Sequence, residues 1–146
     1  MNITPIQEQD FDALFAIEQD AHLVPWSLGT LKNNQGPRYL NLKLCINDQP
    51  VGFAICNKVL DEATLFNIAI VPSQQKKGLG QVLLQELISQ LKQQGIETLW
   101  LEVRESNIGA RHLYEKLGFN EVDMRKNYYP TTNGGRENAV VMALYL

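Results

Sequence analysis

No stretch of this chain approaches the roughly 20 consecutive apolar residues of a membrane-spanning helix, and its start, MNITPIQEQDFDALF, lacks the basic residues and unbroken apolar core of a signal peptide. The protein is therefore expected in the cytoplasm, with no membrane partner. Positive charge is also scarce. Thirteen Lys and Arg against 16 Asp and Glu leave a formal net charge of -3, which gives no electrostatic footprint for a phosphate backbone and excludes direct nucleic-acid binding as the expected role. The partner that such a charge favours is a basic protein. Cysteine is nearly absent: Cys45 and Cys56 lie inside apolar segments without metal-ligand spacing and read as reduced core thiols, so neither a disulfide framework nor a metal is expected. The two histidines, His22 at a helix end and His112 off its helix's apolar stripe, read as structural or surface groups. No pattern supplies them with a Ser or Cys nucleophile, so direct transfer chemistry is favoured over a covalent enzyme intermediate. Repeats and low-complexity runs are missing too. At 146 residues the chain has the size of one compact domain, 1–146, expected as a monomer or weak homodimer.

What is present alternates between two periodicities. Phe11, Leu14, Phe15 and Ile17 recur at helical spacing after a polar start at residues 8–10, predicting a helix to about Asp20. Ser27 is placed to cap a second short helix ending near Gly36-Pro37. From Tyr39 the segments YLNLKLCI, PVGFAICNKVL and ATLFNIAIV read as three consecutive antiparallel strands. Leu83, Leu84, Leu87, Ile88 and Leu91 then form one face of a helix stopped at Gly95. TLWLEVR is a strand, NIGARHLYEKLGF a helix, and NEVDMRKNYY and ENAVVMALYL a final strand pair. The order βαα-βββ-α-β-α-ββ predicts an α/β fold (α+β in some schemes), with a mixed, mostly antiparallel seven-stranded sheet flanked by helices.

Between the third of those strands and its helix lies SQQKKGLGQVLL. Glycines at 78 and 80 entering a helix N-terminus make an anion site, because free backbone N–H groups point outward and no Cβ blocks approach. No Gly-Lys-Ser/Thr triplet follows, which excludes a P-loop, and Leu83 stands where a dinucleotide fingerprint needs its third glycine. The spacing Gln75-x-x-Gly78-x-Gly80 after a strand, with Asn107-x-x-Ala110-x-x-Leu113-Tyr114-x-x-x-Gly118-Phe119 downstream, resembles the two landmarks of the GNAT family of N-acetyltransferases. Pro25-Trp26-Ser27, the segment from Asp61 to Ala69 and Asn127-Tyr128-Tyr129-Pro130 extend the similarity to that family's bacterial ribosomal-protein-alanine branch, over nearly the whole chain.

The resemblance implies acetyl-coenzyme A as co-substrate and no metal. It implies that Ile68, Ala69 and Ile70 contact the acetyl and pantetheine arm, that Lys76, Lys77, Gly78, Leu79, Gly80 and Gln81 surround the pyrophosphate, and that Asn107 binds the amide arm. It further implies Glu102 as general base and Tyr114 as general acid. Strand alternation independently turns Trp100, Glu102 and Arg104 away from the apolar face of Leu99, Leu101 and Val103. Taken without the resemblance, Glu102 is an ordinary strand carboxylate, Tyr114 a core aromatic, and Asn107 shares an N-cap role with Ser106. Trp26, Asp61, Glu62, Tyr128 and Tyr129 are implied to line the acceptor groove. The expected acceptor is the N-terminal alanine of a small-subunit ribosomal protein; a small amine such as a polyamine or antibiotic, and a coenzyme A-binding module without turnover, are the alternatives.

Overall fold

The computed structural model describes residues 1–146. A strand β1 (Asn2–Pro5) is followed by a 3-10 turn at Glu8–Asp10 and helices α1 (Phe11–Ala21) and α2 (Leu28–Asn33). Strands β2 (Leu42–Ile46), β3 (Gln49–Val59) and β4 (Glu62–Ile70) come next, then α3 (Leu79–Gln93), β5 (Thr98–Arg104), α4 (Ile108–Lys116), β6 (Asn120–Pro130) and β7 (Arg136–Tyr145). The seven strands form one sheet in the order β1-β2-β3-β4-β5-β7-β6. Only the β4–β5 pairing is parallel. The predicted element order and sheet class are those observed.

Local chemistry accounts for the boundaries. Ser27 caps α2 as predicted, its hydroxyl accepting from the Thr30 N–H at 3.1 Å. That helix stops three residues short of Gly36-Pro37, because Asn34 turns its side-chain amide back onto the Thr30 carbonyl at 2.8 Å. Tyr39 does not begin a strand; it makes an isolated bridge to Asn57, and β2 starts at Leu42. Asn107, not Ser106, caps α4: its Oδ1 accepts from the Ala110 N–H, while the Ser106 hydroxyl donates to Glu137. Asn wins because it stands at the residue whose backbone departs from the helix.

Each sheet face has its own core. The larger packs Leu83, Leu84, Leu87 and Leu91 of α3 against Leu99, Leu101 and Val103 of β5 and Leu42 and Leu44 of β2. The smaller, on the opposite face, packs Phe11, Leu14 and Ile17 of α1 and Leu31 of α2 against Phe53, Ile55 and Ala69. Both cysteines are buried and free. Burial pushes the Cys56 thiol up to about 12.

The feature that positions a site is where the sheet comes apart. β4 pairs with β5 only through Glu62↔Thr98, Ala63↔Leu99, Thr64↔Trp100 and Leu65↔Leu101. Residues 67–70 stay paired with β3 but have no partner on β5, and Phe66, just before them, has a partner on neither strand. A register shift between Ile55 and Cys56 bends β4 at the same level. The strand therefore presents unpaired backbone to a cleft between two half-sheets.

Candidate active site

The cleft continues into a cavity of about 510 Å³ whose walls include Ile68, Ala69 and Ile70 of β4, the loop from Gln74 to Gln81, and Asn107, Ala110 and Tyr114 of α4. Gln75 anchors the loop, its side-chain amide donating to the Ile70 carbonyl at 2.8 Å. Lys76 and Gly78 both take the left-handed conformation, with φ of 62° and 80°, and this curl delivers the chain into α3. No side chain caps α3. Its first intrahelical hydrogen bond runs from the Val82 N–H to the Gly78 carbonyl, so the amides of Leu79, Gly80 and Gln81 stay available to an anion. A Cβ on Gly80 would stand 3.9 Å from both Ile70 and Leu113; a longer side chain would enter the cavity.

A second cavity, of about 220 Å³, is bounded by Trp26, Thr64, Leu65, Phe66, Glu102, Tyr128 and Tyr129. The two lie one after the other along β4, whose Thr64, Leu65 and Phe66 line this cavity and whose Ile68, Ala69 and Ile70 line the first. Glu102 rises from β5 into this space and is held by Arg125 of β6, whose Nη1 lies 3.2 and 3.1 Å from its two oxygens. The Arg125 guanidinium also covers the Tyr128 ring at 4.7 Å, and Arg104 covers Tyr129 at the same distance. Burial, reinforced by Glu102, raises the Tyr129 phenol. On the coenzyme side, Tyr114 packs its ring against Phe119 with centroids 5.6 Å apart. Burial pushes its phenol up to about 12, with no hydrogen-bonding partner contributing. A neutral O–H facing a cavity is a proton donor.

A family model described as the acetyltransferase (GNAT) family matches residues 3–119. The chain belongs to the acetyltransferase (GNAT) family. Among similar GNAT proteins, the [ribosomal protein bS18]-alanine N-acetyltransferase of Haemophilus influenzae (strain Rd) is 70% identical over 144 residues, covering 99% of this chain and 98% of the relative. The protein of the same name from Escherichia coli K12 is 55% identical over 142 residues, covering 97% and 95%. The crystal structure of the Escherichia coli ribosomal-protein-S18-alanine N-acetyltransferase superposes with a TM-score of 0.95 at 54% identity, covering 99% of this chain and 92% of that one.

Against this GNAT frame, the structure gathers most of the sequence-predicted residues and separates a few. Ile68, Ala69, Ile70, Lys76, Gly78, Leu79, Gly80, Gln81, Asn107 and Tyr114 share the larger cavity; Trp26, Glu102, Tyr128 and Tyr129 share the smaller. Lys77 lies outside, its ammonium donating to Gln74 at 3.2 Å. Asp61 and Glu62 are also apart from the acceptor cavity. Glu62 pairs with Thr98, four residues before Glu102 on β5, because the sharp β3–β4 turn carries both acids to the opposite end of β4. His112 is exposed.

His22 does more than the sequence reading assigned: it lines the larger cavity. Behind it lies Glu18, 1% exposed. One Glu18 oxygen accepts from the Trp26 backbone N–H and the other from the Asn67 side-chain amide, each at 2.9 Å. With that amide committed, the His22 Nε2–H must donate to Asn67 Oδ1, at 3.1 Å. The network ties α1 and the Trp26 loop to β4 at the level where the half-sheets part. A charge on the apolar stripe of α1, four residues after Leu14, was the signal for Glu18; nothing in sequence signalled Arg125.

Proposed function

We propose that residues 1–146 act as one catalytic domain that transfers the acetyl group of acetyl-coenzyme A to the N-terminal α-amino group of a protein, by direct transfer in a ternary complex. The acceptor is the N-terminal alanine of ribosomal protein bS18, the activity for which the Haemophilus influenzae and Escherichia coli relatives are named. One observation carries the reading: two cavities, one with free helix-start amides and one with a carboxylate, are lined by successive stretches of β4 on either side of the point where it leaves β5.

In this mechanism the amides of Leu79, Gly80 and Gln81 take the pyrophosphate, and the unpaired edge of β4 lies along the pantetheine arm. The acceptor enters between Trp26 and the Tyr128–Tyr129 pair. A peptide α-amino group has a pKa near 7.7–8.0 and is largely protonated at neutral pH, so Glu102 removes its proton. The neutral nitrogen attacks the thioester carbonyl, whose oxygen draws on backbone N–H groups at the parting of the strands. The carbon–sulfur bond breaks as the amide forms, and the thiolate leaves with the Tyr114 proton. Arg125 holds the Glu102 carboxylate toward the acceptor cavity.

The test is mass spectrometry after incubation with acetyl-coenzyme A and either unacetylated bS18 or a panel of polyamines and aminoglycosides. One acetyl group on the bS18 N-terminus is expected; modification of small amines alone overturns the acceptor.

A further inference from the structure

The sheet face that carries Glu102 is only half covered. Register puts Glu62, Thr64, Trp100 and Glu102 on one face with Tyr145 of β7, and strand alternation adds Phe66. Helices α1 and α2 cover this face over β3 and the far end of β4, through Phe53, Ile55 and Ala69. Phe66, Trp100 and Tyr145 belong to neither core. Phe66 is 43% and Tyr145 70% exposed. An open aromatic strip thus runs from the floor of the acceptor cavity to the start of β4.

The strip's charge is one-sided. Its two arginines are engaged within the protein, Arg125 with Glu102 and Arg104 with the Pro130 carbonyl and Glu137. Glu62 and the adjoining Asp61 have no Lys or Arg within ion-pair distance. The Glu62 contact is to Trp100, whose indole Nε1–H donates to Oε1 at 2.9 Å. This fixes the indole beside the carboxylate and leaves Oε2 open. From Glu102 to Thr98, the partner of Glu62, is four strand residues, about 13 Å at about 3.3 Å per residue.

Resting on the protein N-terminus as acceptor, we propose that the acceptor chain beyond its acetylated residue lies extended along this strip, with a Lys or Arg at its fifth residue seated between Glu62 and Trp100. The continuity of the strip with the acceptor cavity sets the path, and the unpaired carboxylate beside an indole selects a cation over an anion. The pair is solvent-exposed, so its effect is selectivity among acceptors rather than catalytic power.

The experiment is steady-state kinetics of the full chain with alanine-initiated peptides long enough to reach Glu62, carrying Lys, Ala or Glu as the fifth residue, and with an alanine tripeptide too short to do so. The Lys peptide is expected to show a KM about three- to tenfold below that of the Glu peptide at similar kcat. Glu62→Gln should narrow that gap and Glu62→Lys reverse it, with circular dichroism reporting the fold of each. Equal KM values whatever the fifth residue, or a preference that neither variant shifts, overturns the subsite while tripeptide turnover leaves the acceptor reading standing. Modification of small amines with no acetylation of any peptide overturns both.

Discussion

Two residues divide the proton traffic, and their surroundings differ in kind. Tyr114 is buried among apolar groups that hold its phenol at about 12, so it remains a donor across the working pH range. Glu102 sits half-buried against a guanidinium that keeps a carboxylate charge company. Tyr114→Phe should slow turnover by about 10²- to 10⁴-fold, uniformly between about pH 6 and 9, while leaving coenzyme affinity by calorimetry unchanged. Glu102→Gln should instead depress kcat/KM most at low pH, where more of the amine awaits deprotonation. Equal activity of either variant with the parent removes that residue from the mechanism. The direction of Glu102 was legible because strand alternation turns it off the apolar face, while its role as base came only with the family resemblance. Its companion Arg125 was not, since β6 shifts register after Glu121 and again after Arg125, and no periodicity read along the chain survives two such shifts.

At the level of elements, the loop before α3 was legible because glycine spacing records backbone shape directly, whereas the close approach of β3 to β4 was not. Gly52 reads as an ordinary strand glycine. A Cβ there would lie 2.9 Å from the Ala69 carbonyl oxygen, a backbone atom on the strand proposed to flank the pantetheine. Gly52→Ala should therefore move β4, costing about 1–3 kcal/mol of stability in denaturant titrations and weakening coenzyme binding together. Gly80→Leu should weaken coenzyme binding with little change in stability, since it fills the cavity rather than displacing a strand. Glu18→Ala tests the tie between α1 and β4. It strands the Trp26 N–H and the Asn67 amide, each worth about 1–3 kcal/mol when buried and unpaired, and should raise the peptide KM as the Trp26 loop loosens.

For the whole molecule, pH and ligand act through different parts. Cys56 and Tyr114 both have proton affinities raised by burial, from 9.0 and 10.0 to about 12. Folded chains then hold protons that unfolded chains release, so their contribution is complete below about pH 9 and is lost as pH rises toward about 12. An alkaline titration followed by circular dichroism should show the midpoint of thermal unfolding falling over that interval. The βαα-βββ-α-β-α-ββ order was readable from patterns because each element carries its own period. The parting of β4 from β5 was not, because it depends on a bulge in β4, at Phe66, and on strands distant in sequence. That parting leaves β1–β4 and β5–β7 joined by four residue pairs in one short parallel ladder. A molecule lodged in the cleft grips both banks of it, so acetyl-coenzyme A should act as a rivet: amide-hydrogen exchange slowing in the two half-sheets at once, including strands it never touches.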